Sequence, residues 1–203
     1  AGAESLDTGK PISLAKNLDI PRAISNFRFF ADYAKNFEFN FSLNNDNNTN
    51  LINQYPLGVV ACISPWNLPL YLFSWKIAPA LIAGNTVIAK PSEITPLTAY
   101  MLSKACIEVN LPDGVLNIIH GRGSNIGNLI INHPDIKAIS FTGGTETGKK
   151  IAQETAGTFK KLSLEMGGKN ASIIFNDSDY DKMLDTTIRS SFSNQGQICL
   201  CTS

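Results

Sequence analysis

From Gly58 onward, short apolar runs alternate with longer stretches in which apolar residues recur every three or four positions. The runs "VVACIS", "TVIAK", "GVLNII", "IKAISFT", "KKLSLE" and "ASIIF" have the length and β-branched content of buried strands. Between and after them, "LYLFSWKIAPALIAG", "LTAYMLSKACIEV", "SNIGNLIIN", "TETGKKIAQET" and "SDYDKMLDTTIRSSF" read as helices, the first stopped at Gly84. Strands alternating with helices imply βαβ units, so the expected class is α/β, a Rossmann-like parallel sheet with flanking helices. Upstream, residues 12 to 35 read as helical, with Ile20, Ile24, Phe27 and Phe30 at three-to-four spacing. "NFEFNFSL" then alternates polar and aromatic, "NNDNNTN" is a polar turn, and "LINQYP" completes what reads as a β-hairpin arm.

Composition narrows the function classes. Hydrophobic residues make up 43% of the 203, enough for a real core. Basic and acidic side chains number 17 each, so no net charge argues for nucleic acid or an anionic membrane. No apolar run approaches the ~18 residues that span a bilayer. The start "AGAESLDTGK" lacks both Met and the basic-then-apolar pattern of a secretory leader, which suits a processed form or a fragment. Cys62 and Cys106 sit in apolar segments and suggest no disulfide framework, so the expected location is cytoplasmic.

In parallel sheets, ligands bind beyond the carboxyl ends of the strands. Those ends carry Pro65-Trp66-Asn67, Lys90 with Glu93 three residues on, Gly121-Arg122-Gly123, Phe141-Thr142-Gly143-Gly144-Thr145, and Glu165-Met166-Gly167-Gly168. Together they make a plausible rim for a nucleotide and an active site. Singly, each has a plainer reading. "GRGSNIG" misses the third glycine of the dinucleotide fingerprint and reads first as a turn. Lys90 and Glu93 would pass as a surface pair, and Asn67 as a turn residue. "DSDYD" at 177–181 imitates a calcium loop, but Lys182 and Ile188 stand where that loop needs Gly and Glu. It reads instead as a helix start, with acids near the positive end of the dipole.

The last residues, "SFSNQGQICLCTS", hold Cys199 and Cys201. One intervening residue is the wrong spacing for zinc, and His120 and His133 supply no matching pair, so no metal site is expected. A nucleophilic thiol needs a group that can handle its proton, and neither histidine is obviously placed to do so. On spacing alone, core filler is the better account.

"SPWNLPL", "PALIAGNTVIAKPSEITPLTA", "ISFTGGTETG", "LSLEMGGKNASIIF" and "FSNQGQICLC", in this order, resemble the aldehyde dehydrogenase superfamily. The resemblance runs from about Pro56 to the end, extends to residues 4–35 and is weakest between Asn36 and Tyr55. It implies that Cys199 is the catalytic thiol, Glu165 the general base and Asn67 the oxyanion-hole amide. Lys90 and Glu93 would bind the adenosine ribose, the carboxylate favouring NAD over NADP. Trp66, Gly123, Phe141, Gly143, Gly144 and Thr145 would cover the dinucleotide. The implied reaction is aldehyde oxidation through a cysteine thiohemiacetal and thioester, with hydride passing to nicotinamide. "IPRAISNFRFFADY" and the ending "CLCTS" look closest to the branch acting on 2-hydroxymuconic and 2-aminomuconic semialdehydes. Such substrates carry a carboxylate, for which Arg22 and Arg28 are the candidate partners; a helix-surface role suits either arginine equally well.

Two residues depart from many relatives, Gly144 in place of Ser and Met166 in place of Leu. Length departs more. The resemblance implies a central fragment, with residues 1–35 and 56–166 forming part of a dinucleotide-binding domain, 36–55 an oligomerisation arm, and 167–203 the start of a catalytic domain. The expected partners are a small aldehyde and, in the longer parent, further copies of the same chain. The competing reading is a cofactor-binding or structural fragment without turnover.

Overall fold

A computed structural model describes residues 1–202. Its centre is a five-stranded sheet made of β3 (Val59–Ile63), β4 (Thr86–Lys90), β5 (Leu116–Ile118), β6 (Ile136–Gly143) and β7 (Lys161–Met166). The spatial order is β5-β4-β3-β6-β7, and every neighbouring pair is parallel. The chain therefore builds outward from β3 in one direction, then returns to its other side, so the direction of winding switches between β3 and β6.

The alternation of side chains along β3 explains its unbroken apolar run. Val60 and Cys62 point to one face and Ala61 to the other, and all three are buried. The first face packs on α4 (Pro69–Ile82) and α5 (Leu97–Glu108), around Phe73, Ile77 and Val87. The second packs on α6 (Asn128–Asn132) and α7 (Thr145–Thr155), around Ile130, Ile139, Phe141 and Ile151. Phe73 and Ile77 are each 0% exposed, and burial of one such side chain stabilises the fold by about 1.5–3 kcal/mol.

The N-terminal helices are tied to this sheet by polar contacts. Helix α1 (Gly2–Thr8) supplies Asp7, whose carboxylate accepts the Leu97 N–H at 2.7 Å, and Glu4, which accepts the Leu70 N–H at 3.4 Å. Both donors belong to first turns that have no intrahelical partner. A short helix, α2 (Ile12–Leu14), runs through a π-turn into α3 (Ile20–Asn36). There the Asn26 amide donates to Tyr71 O at 3.2 Å and Ser74 Oγ at 2.9 Å, locking α3 against α4. Strands β1 (Asn40–Asn44) and β2 (Thr49–Asn53) form the antiparallel hairpin that the polar turn implied.

One expected strand is absent. Residues 171–175 have no ladder, and Ile173, Ile174 and Phe175 are 78%, 51% and 71% exposed. A strand needs a neighbour to bond its backbone, and the only pairing here among the described residues is a single bridge between Asn170 and Thr202. Downstream, α8 (Tyr180–Phe192) starts where "DSDYD" predicted a helix, the Asp179 carboxylate capping the Lys182 N–H at 3.1 Å. Among the described residues no helix is long and apolar enough to cross a membrane.

Candidate active site

The winding switch opens a cleft of about 740 Å³ at the carboxyl ends of β3, β4 and β6. Most of the strand-end residues picked out from the sequence converge on it: Trp66, Asn67, Lys90, Glu93, Gly123, Phe141, Gly143, Gly144 and Cys199. Thr145 does not line it; it is exposed, at the first position of α7.

At one end of the cleft, Lys90 closes β4 and is buried. Its ammonium donates to Pro91 O at 3.0 Å and Glu93 Oε2 at 3.1 Å, while Glu93 Oε1 accepts the Gly123 N–H at 3.0 Å. Partial desolvation pushes the Glu93 carboxyl up, but the N–H groups of Gly123 and of Glu93 itself, together with Lys90, outweigh it and hold it at about 2. A permanently ionised acceptor beside a buried cation, at a switch point, suits the diol of a nucleotide ribose. The open shape and mixed lining of the cleft accommodate an extended dinucleotide.

Close backbone approach shapes the floor. A Cβ on Gly143 would lie 2.5 Å from Phe141 Cζ, and Phe141 is buried, so only glycine fits. A Cβ on Gly144 would meet nothing within 4 Å, so a serine would be accommodated there.

At the other end stands Cys199, which also lines a second cavity of about 720 Å³ on the α4 face of the sheet. Glu165 lies in that second cavity, with Lys76 and Tyr71. The thiol is thus the junction between a dinucleotide-sized cleft and a chamber holding a carboxylate. Alternation along β7 produces this split: Glu165 faces the α4 side, and Met166, the next residue, faces the cleft.

Asn67 ties the segment after β3 to the thiol loop. Its Nδ2 donates to Gln197 O at 2.7 Å, two residues before the thiol. The thiol loop itself turns through three successive left-handed residues, Asn194, Gln195 and Gly196, at φ 52°, 57° and 71°. Two of these are not glycine, and such strain persists only where the surroundings hold it. Asn194 does so in part, donating to Asn67 O at 3.0 Å.

Three residues that the sequence reading did not single out belong to the site. Asn170 donates to Cys199 O at 2.6 Å and Cys201 O at 3.1 Å, pinning the backbone on both sides of Leu200; its place directly after "LEMGGK" was the available signal. Asn194 holds the turn before the thiol. Lys76 lies on the buried face of α4, 3.2 Å from Ser140 Oγ. Burial lowers the affinity of its amine for a proton, and Cys62 and Glu165 partly oppose the shift. A lysine inside the apolar run "LFSWKIAPALI" was the visible anomaly. Desolvation pushes the thiol of Cys62, beside it, up to about 12, so this cysteine is inert packing.

The two candidate arginines separate. Arg22 lies over the ring of Tyr71 at 5.7 Å, with Nε 3.4 Å from Tyr71 Oη; Tyr71 lines the second cavity and Arg22 itself does not. Arg28 lines a shallow groove on α3 with Pro21, Ile24, Ser25 and Phe29, apart from both cavities.

A doubly wound parallel sheet with a cysteine at the mouth of its switch-point cleft defines a dinucleotide-type scaffold with a thiol beside the cleft. Comparison with known proteins makes the class specific. A sequence model described as the aldehyde dehydrogenase family matches residues 1–203, and the chain belongs to that family. It is 52% identical over 202 residues to the 2-aminomuconic semialdehyde dehydrogenase of Danio rerio, covering 99% of this chain and 42% of the relative. It is 48% identical over 205 residues to the 2-hydroxymuconic semialdehyde dehydrogenase of Pseudomonas sp. (strain CF600), covering 98% of this chain and 42% of the relative. An NAD+ complex of a Bacillus cereus aldehyde dehydrogenase superposes at a TM-score of 0.95 and 36% identity, over 100% of this chain and 41% of that one. The chain therefore spans about two fifths of the length of the relatives it matches.

Proposed function

We propose that this chain carries the cofactor cradle and the nucleophile of an NAD-dependent dehydrogenase that oxidises a muconic-type semialdehyde to the acid. The observation that carries the reading is the position of Cys199 at the junction of the two cavities, one lined by Lys90 and Glu93, the other by Glu165. In this reading residues 1–35 and 56–166 serve the dinucleotide, 36–55 form an arm between copies of the chain, and residues from 167 onward begin the catalytic part. Ser203, at its end, lies outside the described residues.

The Glu93 carboxylate accepts hydrogen bonds from the ribose diol and repels a 2′-phosphate, and Lys90 orients it. Bound NAD supplies the hydride acceptor. The Cys199 thiolate adds to the aldehyde carbon. The oxyanion then meets the Asn67 amide and the Cys199 N–H, donors of a kind whose individual loss costs on the order of 100-fold or more. After hydride leaves, Glu165 takes a proton from the water that hydrolyses the thioester, its own chamber giving that water access to the thiol. Arg22, steadied by Tyr71, offers a cation to the carboxylate of the substrate. The names of the relatives support this substrate class.

The test is turnover of a muconic semialdehyde with NAD by the full-length protein and by Cys199→Ala. Loss of turnover with retained NAD binding is expected. Retained dehydrogenase activity in the variant would remove the thiol from the mechanism.

A further inference from the structure

Beneath the Asn67 loop lies a buried ion pair that the chemistry described so far does not use. Lys10, between α1 and α2, donates to Asp19 Oδ2 at 2.6 Å, and both side chains are 0% exposed. The same ammonium donates to Asn67 O at 3.2 Å. We infer that Lys10 and Asp19 are positioning residues that fix the peptide of Asn67, and through it aim the Asn67 amide at the thiol. The inference rests on the reading of Asn67 as the oxyanion donor.

Three observations carry it. First, a fully buried pair is a poor anchor for a helix, because desolvation offsets much of its attraction and apolar residues would hold the segment as well. What apolar residues cannot do is donate to a carbonyl. Second, Asn67 O accepts from two sides, from Lys10 upstream and from Asn194 of the thiol loop at 3.0 Å. The N-terminal segment and the thiol loop thus meet on one carbonyl, immediately before α4 begins. Third, the Asn67 amide is held at one end only. Its Oδ1 is buried and has no hydrogen-bond partner among the described residues, and its Nδ2 is held by Gln197 O of that same loop. The backbone pin is what the side chain turns on.

The test is a cycle of variants in the full-length protein. Replacing the pair together, Lys10→Met with Asp19→Leu, removes the donor to Asn67 O and both members of the ion pair at once. Displacing a catalytic group by about 1 Å can cost on the order of 100-fold. Asn194 still holds the carbonyl, so a loss of about tenfold in kcat is expected, with NAD affinity unchanged. Asn67→Ala should cost on the order of 100-fold. The triple variant should then be no slower than Asn67→Ala alone, because the pair acts only through Asn67. An additional tenfold loss in the triple variant, or a silent pair beside a damaging Asn67→Ala, overturns the inference and leaves the oxyanion assignment standing. A silent Asn67→Ala removes the oxyanion assignment and the inference with it. If the pair variant does not fold, Asp19→Asn loosens Lys10 while keeping a neutral acceptor of the same size, and the same non-additivity with Asn67→Ala decides.

Discussion

Replacing Glu93 by Gln removes one charge from the proposed ribose cradle. In the native protein Glu93 Oε2 lies 3.1 Å from Lys90 Nζ, and Oε1 accepts from the Gly123 N–H at 3.0 Å. Hydrogen bonds to a charged acceptor are worth about 1.5–3 kcal/mol, against about 0.5–1.5 kcal/mol for a neutral one. One ribose hydroxyl therefore loses about 1–1.5 kcal/mol, and NAD affinity falls about five- to tenfold. NADP moves the other way. Its phosphate no longer meets a carboxylate, and the buried Lys90 is left to face it. The preference for NAD that this reading proposes thus narrows by more than the loss in NAD binding alone. Stability at neutral pH falls by about 1 kcal/mol, since Lys90 is buried but the Glu93 side chain is 43% exposed and screened by solvent. Its pH dependence has a definite sign. The folded carboxyl titrates at about 2, below the ordinary 4.5. Its stabilisation is complete above the unfolded value and is lost as pH falls through the folded one. The advantage of the native protein over Glu93→Gln should therefore shrink only below pH 4.5 and vanish near pH 2. Isothermal titration with NAD and NADP, and denaturation across that acid range, measure both effects. Unchanged NAD affinity, or equal losses for the two dinucleotides, would refute the cradle.

Other consequences are simpler to read. Arg22→Met should raise KM for a carboxylate-bearing semialdehyde about tenfold, as expected for one lost charge-assisted contact at a partly solvated site. It should leave a neutral aldehyde of similar length unaffected, and Arg28→Met should change neither; steady-state kinetics with the two substrates decides. Gly143→Ala forces a methyl against the buried Phe141 and should destabilise by about 1–3 kcal/mol, whereas Gly144→Ala should leave the melting temperature unchanged.

The sheet was legible because a strand buried on both faces, such as β3, reads as one apolar run, and its helices repeat at the helical period. The hairpin was legible for a different reason: its strands are exposed, and an alternating segment followed by a polar turn marked it. Residues 171–175 misled because an apolar run states a tendency to be buried and not the presence of a neighbour. The site was partly visible, since strand ends in a parallel sheet are where ligands gather. Distance in sequence hid the rest. Nothing local says that Glu165 and Cys199, thirty-four positions apart, share a chamber, or which of two exposed arginines on α3 turns towards Tyr71. Lys10 and Asp19 lie in polar segments that read as surface, and the packing of α1 on α5 and of α3 on α4 buries them. Asn170 and Asn194 act through backbone carbonyls, a role that residue type does not announce.

The division of labour between Cys199 and Glu165 is tested most directly by trapping. Mixed with NAD and semialdehyde, the Glu165→Gln protein should release one equivalent of NADH per site in a burst and then stall. Intact and peptide mass spectrometry should find the acyl group on Cys199. An acyl adduct on Cys201, or steady turnover in Glu165→Gln at the native rate, would contradict the account.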